Sequence, residues 1–339
     1  MQTTQKPLPW RSQKQSYEEA LSYVRGRREG TITSVKTPWP KLNEATVDGF
    51  EWHSMIVVGG RPGAGKTAVK EQIVREVFKL NPATSMRVLD FSLEMVGKAS
   101  AIRNMSSAIG RSYKYICSAE GAEGISQDNF DKCVDFARSA IKHPIDIIEE
   151  VESVAKFEEI IVQYMNHHSS KALVLNKEGQ KVEITQYTNT IVTLDHSILI
   201  NEKNKIEMLY DLGATITKLK RRYPIIFIIL SQLNRNIDHP ERNEDGKYGN
   251  YVLESDIFGA DALLQHADLV VGLNRPGKQK IRFYGPDKYI IPNDSLLVMH
   301  ILKARNGVTG MIFFEAQFHK MEIVETATPA QAETRSGRF

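Results

Sequence analysis

Along the chain, apolar positions switch between two periods. Short β-rich runs at residues 55–58, 87–91, 145–148, 191–194 and 225–230 alternate with segments whose apolar residues recur every three or four positions. The helical segments include Lys66–Leu80, Gly97–Ile109 and the stretch carrying Ile206, Leu209, Leu212, Ile216 and Leu219. This alternation predicts an α/β fold of βαβ units, with a mostly parallel twisted sheet flanked by helices. Beyond Ala267 the strands crowd together, at residues 268–273, 280–284, 296–302 and 311–314, separated by the turn signals RPGK and RNGVTG. They predict an antiparallel C-terminal extension of the same sheet. Residues 173–185 read as an inserted β-hairpin just before the strand at 191.

The two ends carry weaker patterns. Residues 1–15 are polar, with two prolines, and read as a flexible arm. From Ser16, Tyr17, Leu21 and Val24 recur at helical spacing, with Ser16 as N-cap, Glu19 three residues on and Gly30 as a stop. A short exposed helix followed by an extended segment, residues 16–40, suits either a tether or a loosely docked terminal helix. Residues 41–325 form the main domain, and 326–339 read as a disordered tail.

Composition narrows the class. With 41% hydrophobic and 25% charged residues, the 339-residue chain is globular rather than disordered or fibrous. A net charge of +3 is too balanced to argue for nucleic acid by itself. The charge is unevenly placed, however: residues 1–41 hold Lys6, Arg11, Lys14, Arg25, Arg27, Arg28, Lys36 and Lys41 against three glutamates. Cys117 and Cys133 supply neither a disulfide framework nor a four-ligand zinc site, which points to a reducing, cytoplasmic setting. The longest apolar run, at 225–230, is far short of the roughly 20 residues that span a bilayer, so no membrane insertion is expected.

The strongest chemical signal follows the first strand. Gly60 is followed by Arg61, Pro62, Gly63 and Ala64, then Gly65, Lys66, Thr67 and Ala68, which fits the phosphate-loop pattern G-x-x-x-x-G-K-[ST] between a strand and a helix. In that context the turn's backbone N–H groups and the helix N-terminus converge on a β-phosphate. Lys66 would meet the β- and γ-phosphates and Thr67 would place its hydroxyl on Mg²⁺, so ATP with Mg²⁺ is the expected pair. Asp195, ending the strand in IVTLDHS, is the candidate second magnesium contact; its bland alternative is a strand-terminating turn residue. Glu94 in VLDFSLEM stands where a carboxylate could polarise water, though a glutamate at a helix start also simply suits the dipole. His167, His168 and His239 lack a set of metal-ligating partners, and no metal beyond Mg²⁺ is expected.

Taken in order, GGRPGAGKTA, VLDFSLEM, VTLDHS, IIFIILSQLNR, DALLQHADLVVGLNR and LKARNGVTG resemble the motif series of DnaB-type replicative helicases, including the bacteriophage ring helicases. The resemblance runs from about Thr33 to Val324 and implies a RecA-like P-loop ATPase domain. It makes Lys66 and Thr67 the phosphate and Mg²⁺ contacts, Glu94 the general base and Asp195 the second Mg²⁺ contact. Gln232 matches the γ-phosphate sensor that links to DNA-contacting loops. Arg305 matches the arginine finger inserted into the next subunit's site, with Lys303 as its partner. The two would share one face of a strand at i and i+2; without the family, a solvated edge-strand face is the better reading of them. Residues 234–258 fall at the central-channel loops, where Arg235, Arg242 and Lys247 could meet single-stranded DNA phosphates despite the acidic residues among them. Arg275 falls near the nucleotide base. Residues 16–30 fall at the family's linker helix, which docks on a neighbouring subunit and so favours the tether.

Two departures stand out. The hairpin at 173–185 is not part of the family pattern, and DHS replaces the Asp-Tyr pair usual in the bacterial enzymes, as in phage ring helicases. No room for a separate N-terminal domain and no primase segment are expected. The resemblance implies an ATP-driven helicase, a homo-oligomeric ring of six around single-stranded DNA, with primase or a loader as further partners. Two rivals stay open: a RecA-like ATPase of another class, in strand exchange or a DNA motor, and a helicase-like scaffold that binds ATP only to recruit replication partners.

Overall fold

In a computed structural model of the chain, the structure describes residues 10–119, 124–175, 179–196, 200, 204–234, 237, 239–242 and 251–331. The helices are α1 (Gln13–Glu29), α2 (Pro40–Ala45), α3 (Lys66–Leu80), α4 (Gly97–Ile109), α5 (Tyr113–Cys117), α6 (Gln127–Ala140), α7 (Val154–His167), α8 (Lys205–Arg222) and α9 (Ala260–Leu264). The strands are β1 (Ser54–Gly60), β2 (Met86–Ser92), β3 (Ile145–Ile148), β4 (Ser169–Leu175), β5 (Lys181–Tyr187), β6 (Asn189–Asp195), β7 (Ile225–Gln232), β8 (Leu269–Asn274), β9 (Phe283–Tyr284), β10 (Tyr289–Ile290), β11 (Leu296–Ala304), β12 (Gly310–Gln317) and β13 (Glu322–Glu325).

Nine of these strands make one sheet, in the order β13, β12, β11, β8, β1, β7, β6, β2, β3. From β3 to β8 every pairing is parallel. From β8 outward through β11 and β12 to β13 every pairing is antiparallel. The interior strand β7, IIFIILSQ, is apolar on both faces because both are covered. Ile56, Val58 and Ile228 pack with Val69, Ile73 and Val77 of α3 on one face. Met55, Val57, Phe227 and Ile229 pack with Phe157 of α7 and Leu212 and Ile216 of α8 on the other. Parallel alignment brings the carboxyl ends of β1, β2, β6 and β7 to one edge, where ligands of open α/β sheets bind.

The expected architecture is present, with local corrections. Helix α1 begins at Gln13, inside the segment read as arm: Ser12 Oγ accepts from the Gln15 N–H at 3.2 Å and the Gln15 carboxamide oxygen accepts from the Ser12 N–H at 3.0 Å. Ser16 therefore lies within the first turn, donating its hydroxyl to the Ser12 carbonyl. The expected strand at 280–284 shrinks to β9, paired only with β10, because a 3-10 turn over Gly277–Gln279 ends with Lys280 at φ 58°. Strand β13 and helices α6 and α7 carry no element in the sequence reading. Residues 326–331 are not loose: Thr326 N–H donates to the Phe313 carbonyl at 2.9 Å and Ile290 N–H to the Ala330 carbonyl at 2.8 Å. The hairpin of β4 and β5 forms in the place expected and extends further, pairing Ser169 with Tyr187 and Leu175 with Lys181.

Candidate functional site

The turn from β1 into α3 requires glycine. Gly63 has φ 74° and Gly65 φ 104°, and a Cβ on Gly65 would lie 2.6 Å from the Phe318 ring. Conformation and space therefore both exclude a side chain at Gly65. Lys66 opens α3 and turns back over the loop, its ammonium donating to the Gly60 carbonyl at 2.8 Å and the Arg61 carbonyl at 3.3 Å. Burial lowers the Lys66 amine below its usual range, while Asp195 and Glu94 lie close enough to pull it back. Lys66, Thr67, Glu94, Gln232 and Arg275 line one cavity of about 770 Å³ with Pro62, Gly63, Gly65 and Ala68.

Asp195 is 2% exposed at the end of β6. Burial pushes its carboxyl up; Lys70 and a hydrogen bond with the Thr67 side chain oppose this. Its Oδ1 is buried and has no partner among the described residues. A buried carboxylate oxygen without a partner, beside a threonine hydroxyl, fits a small hard cation such as Mg²⁺, which takes oxygen ligands.

Behind Asp195 lies a network absent from the sequence reading. The fully buried Lys70 amine sits 3.0 Å from both Asp90 oxygens, 3.1 Å from Glu71 Oε1 and 3.9 Å from Asp195 Oδ2. The Thr193 hydroxyl donates to Asp90 Oδ1. A signal existed: Lys70 stands four residues after Lys66, on the same helical face, and Asp90 interrupts the apolar run of Val88, Leu89 and Phe91.

At the end of β7, Gln232 Nε2 lies 3.1 Å from Nε2 of His196. The Gln232 carbonyl accepts from Phe258 N–H at 2.8 Å, and Asn234 N–H donates to the Asp256 carbonyl at 2.6 Å. These bonds close the neck of the loop between residues 234 and 258. Arg242 is engaged inside that loop by Asp256 and by the Tyr251 carbonyl at 2.7 Å, with only 11% of its side chain exposed. In this arrangement Arg242 braces the loop. Arg235 and Lys247 lie outside the described residues. Arg275 stacks over the Phe318 ring at 4.5 Å and donates to the Asp294 carbonyl at 3.0 Å. Phe318 thus gives the cavity an aromatic wall, a contribution that no motif announced.

Arg305 and Lys303 sit elsewhere. Strand β11 ends at Ala304 with a register shift between Ile301 and Lys303, so Arg305 opens a turn rather than sharing a strand face with Lys303. The Lys303 ammonium donates to the Leu264 carbonyl. Ala304 pairs with Leu269, which pairs with Ile56 near the start of β1, whereas the phosphate loop leaves β1 after Gly60. At about 3.3 Å per residue, roughly 13 Å of strand separates these two levels. Asp268 holds Arg305 at 3.0 Å and also accepts from Lys220 and from Met55 N–H. About half of the Arg305 side chain remains exposed, at 53%. The structure therefore gathers Lys66, Thr67, Glu94, Asp195, Gln232 and Arg275 and leaves Lys303 and Arg305 at the far end of the sheet.

Among the described residues, no helix is long and apolar enough to cross a membrane. Residues 34–323 match the model of the DnaB-like helicase C terminal domain. The chain is 23% identical over 286 residues to the replicative DNA helicase DnaB of Geobacillus stearothermophilus, covering 84% of this chain and 55% of that protein. It spans about half the length of the curated relatives it matches. Among solved structures, the ATPase domain of G40P superposes with a TM-score of 0.72 at 18% identity, covering 91% of this chain and 98% of that one. A DnaB-like replicative helicase, described with its interactions with primase, gives 0.70 at 19% identity, covering 90% and 67%. These likenesses identify the fold as the RecA-like one, and the family match spans most of the chain. The chain therefore belongs to the DnaB-like helicase C-terminal domain family.

Proposed function

We propose that this chain is the ATP-hydrolysing motor of a replicative DNA helicase, acting as a ring of six copies around one DNA strand. The observation that carries the reading is the division of the charged residues between the two ends of the sheet. One end holds a phosphate loop, two carboxylates and Gln232; the other presents a half-exposed Arg305 that is remote from its own chain's loop. Such a division makes sense when the arginine completes the site of an adjacent copy.

In that site Lys66 and the loop N–H groups bind the β- and γ-phosphates of ATP. The Thr67 hydroxyl and the Asp195 carboxylate would hold Mg²⁺, which when bound supplies charge neutralisation at the phosphates. Glu94 accepts the proton of the attacking water at its carboxylate. Gln232 contacts the γ-phosphate, and its backbone bond to Phe258 ties that contact to the neck of the loop at 234–258. Arg305 of the adjacent copy stabilises charge on the transferring phosphoryl group, with Lys303 beside it. Single-stranded DNA in the channel meets Arg235 and Lys247 from that loop, and Arg242 once its bond to Asp256 opens. The Arg275 and Phe318 pair offers a flat wall against which the nucleotide base stacks. Primase and a helicase loader are the further partners this reading calls for, in a cytoplasmic replication complex.

Steady-state ATP hydrolysis with and without single-stranded DNA tests the reading. Strong stimulation by DNA, followed by unwinding of a forked duplex, is the expected result. Nucleotide binding with unstimulated or absent turnover would contradict it.

A further inference from the structure

His196 follows the magnesium-site aspartate but plays no part in the functions proposed above. Its residue is 7% exposed, yet its ring lines the cavity together with Lys66, Glu94 and Gln232. Its Nε2 lies 3.1 Å from the Gln232 carboxamide, and its Nδ1 is buried without a partner among the described residues. The Gln232 side chain makes no other hydrogen bond among the described residues, while its backbone anchors Phe258 at the neck of the 234–258 loop.

We propose that His196 is a positioning residue that fixes the Gln232 carboxamide and so couples the end of β6 to the loop closed by β7. A glutamine side chain at a strand end samples several rotamers, and restricting it costs side-chain entropy that a preformed hydrogen bond removes before the phosphate arrives. Among the described residues, Gln232 is the one that touches both the cavity and, through its carbonyl, the loop neck. Holding its amide from β6 places the aspartate's strand and the sensor's strand in one unit. A tyrosine here, as in the Asp-Tyr pair of the bacterial enzymes, would present a single hydroxyl further from the backbone, so a histidine changes how the sensor is held. The inference rests on the function proposed above.

The test is a double-mutant cycle between His196 and Gln232, read as DNA-stimulated kcat alongside the affinity for a fluorescent ATP analogue. His196→Phe keeps the ring's volume and removes the hydrogen bond; kcat is expected to fall about tenfold while nucleotide affinity changes less than about twofold. His196→Gln, which carries a terminal amide where histidine carries Nε2, is expected to restore most of the lost rate. In a Gln232→Ala background, His196→Phe is expected to cost nothing further, because the group it positions is gone. A full penalty in both backgrounds, or an unchanged kcat in His196→Phe beside a DNA-stimulated wild type, overturns the inference alone. A wild type without DNA-stimulated turnover overturns it together with the functional reading.

Discussion

Lys70 has no exposed surface and answers Asp90, Glu71 and Asp195 at once. Burial alone would lower its amine, but the three carboxylates outweigh that and raise it. Replacing it with methionine leaves buried carboxylates without a counter-charge, so Lys70→Met is expected to lose about 3–5 kcal/mol in urea unfolding at neutral pH. Glu71 supplies a pH test of the same network. Burial would raise its carboxyl, yet Lys70 and hydrogen bonds from Ser100 and Asn104 hold it below the ordinary glutamate range. Its contribution is therefore full above that range and is lost as pH falls through the depressed value. Thermal melts of wild type and Glu71→Gln should converge in acid and separate toward neutrality; a constant gap would contradict the assignment. At the phosphate loop, Gly65→Ala forces a side chain into a left-handed conformation and against Phe318. A loss of about 1–3 kcal/mol, with weakened nucleotide binding, is expected by calorimetry.

At the scale of elements, α1 divides into a held end and a free end. Arg27 bonds Ser34 Oγ and Asp48 at 3.0 Å each, and the Tyr23 hydroxyl donates to Glu51 at 2.6 Å. The earlier turns leave Tyr17, Leu21 and Val24 each more than 60% exposed on one stripe. Leu21→Glu with Val24→Glu should leave the melting temperature of the domain unchanged and release monomers in sedimentation; an intact ring would exclude α1 as the tether. The elements that were legible in the sequence are those whose pattern has a single solution. β1, β2, β6 and β7 are apolar runs buried on both faces, and the phosphate loop needs its glycines wherever it occurs. The start of α1 was misplaced by four residues because Ser12 with Gln15 and Ser16 with Glu19 are equivalent capping pairs until geometry chooses. β13 escaped notice because four residues with alternating burial, EIVE, make too short a period. The Lys70 network, His196 and Phe318 were hidden for a different reason. Each takes its meaning from a partner far away in sequence, as Phe318 does from Gly65 and Arg275.

For the whole molecule the sheet acts as a ruler, with Lys66 at one end and Arg305, held by Asp268, which Lys220 also bonds, at the other. Asp268, in the HADLVVGL segment, sets where Arg305 points, a role that its sequence neighbours do not signal. Under the proposed function a working site is built from two copies, one giving Glu94 and the other Arg305. Mixing purified Glu94→Ala and Arg305→Ala proteins measures this directly by ATP turnover. Each variant alone is expected to bind ATP and fail to hydrolyse it. Random assembly of the two leaves roughly a quarter of the interfaces with both residues intact, so turnover should reappear in the mixture. A mixture as inactive as its components, with rings that demonstrably exchange subunits, would contradict the account.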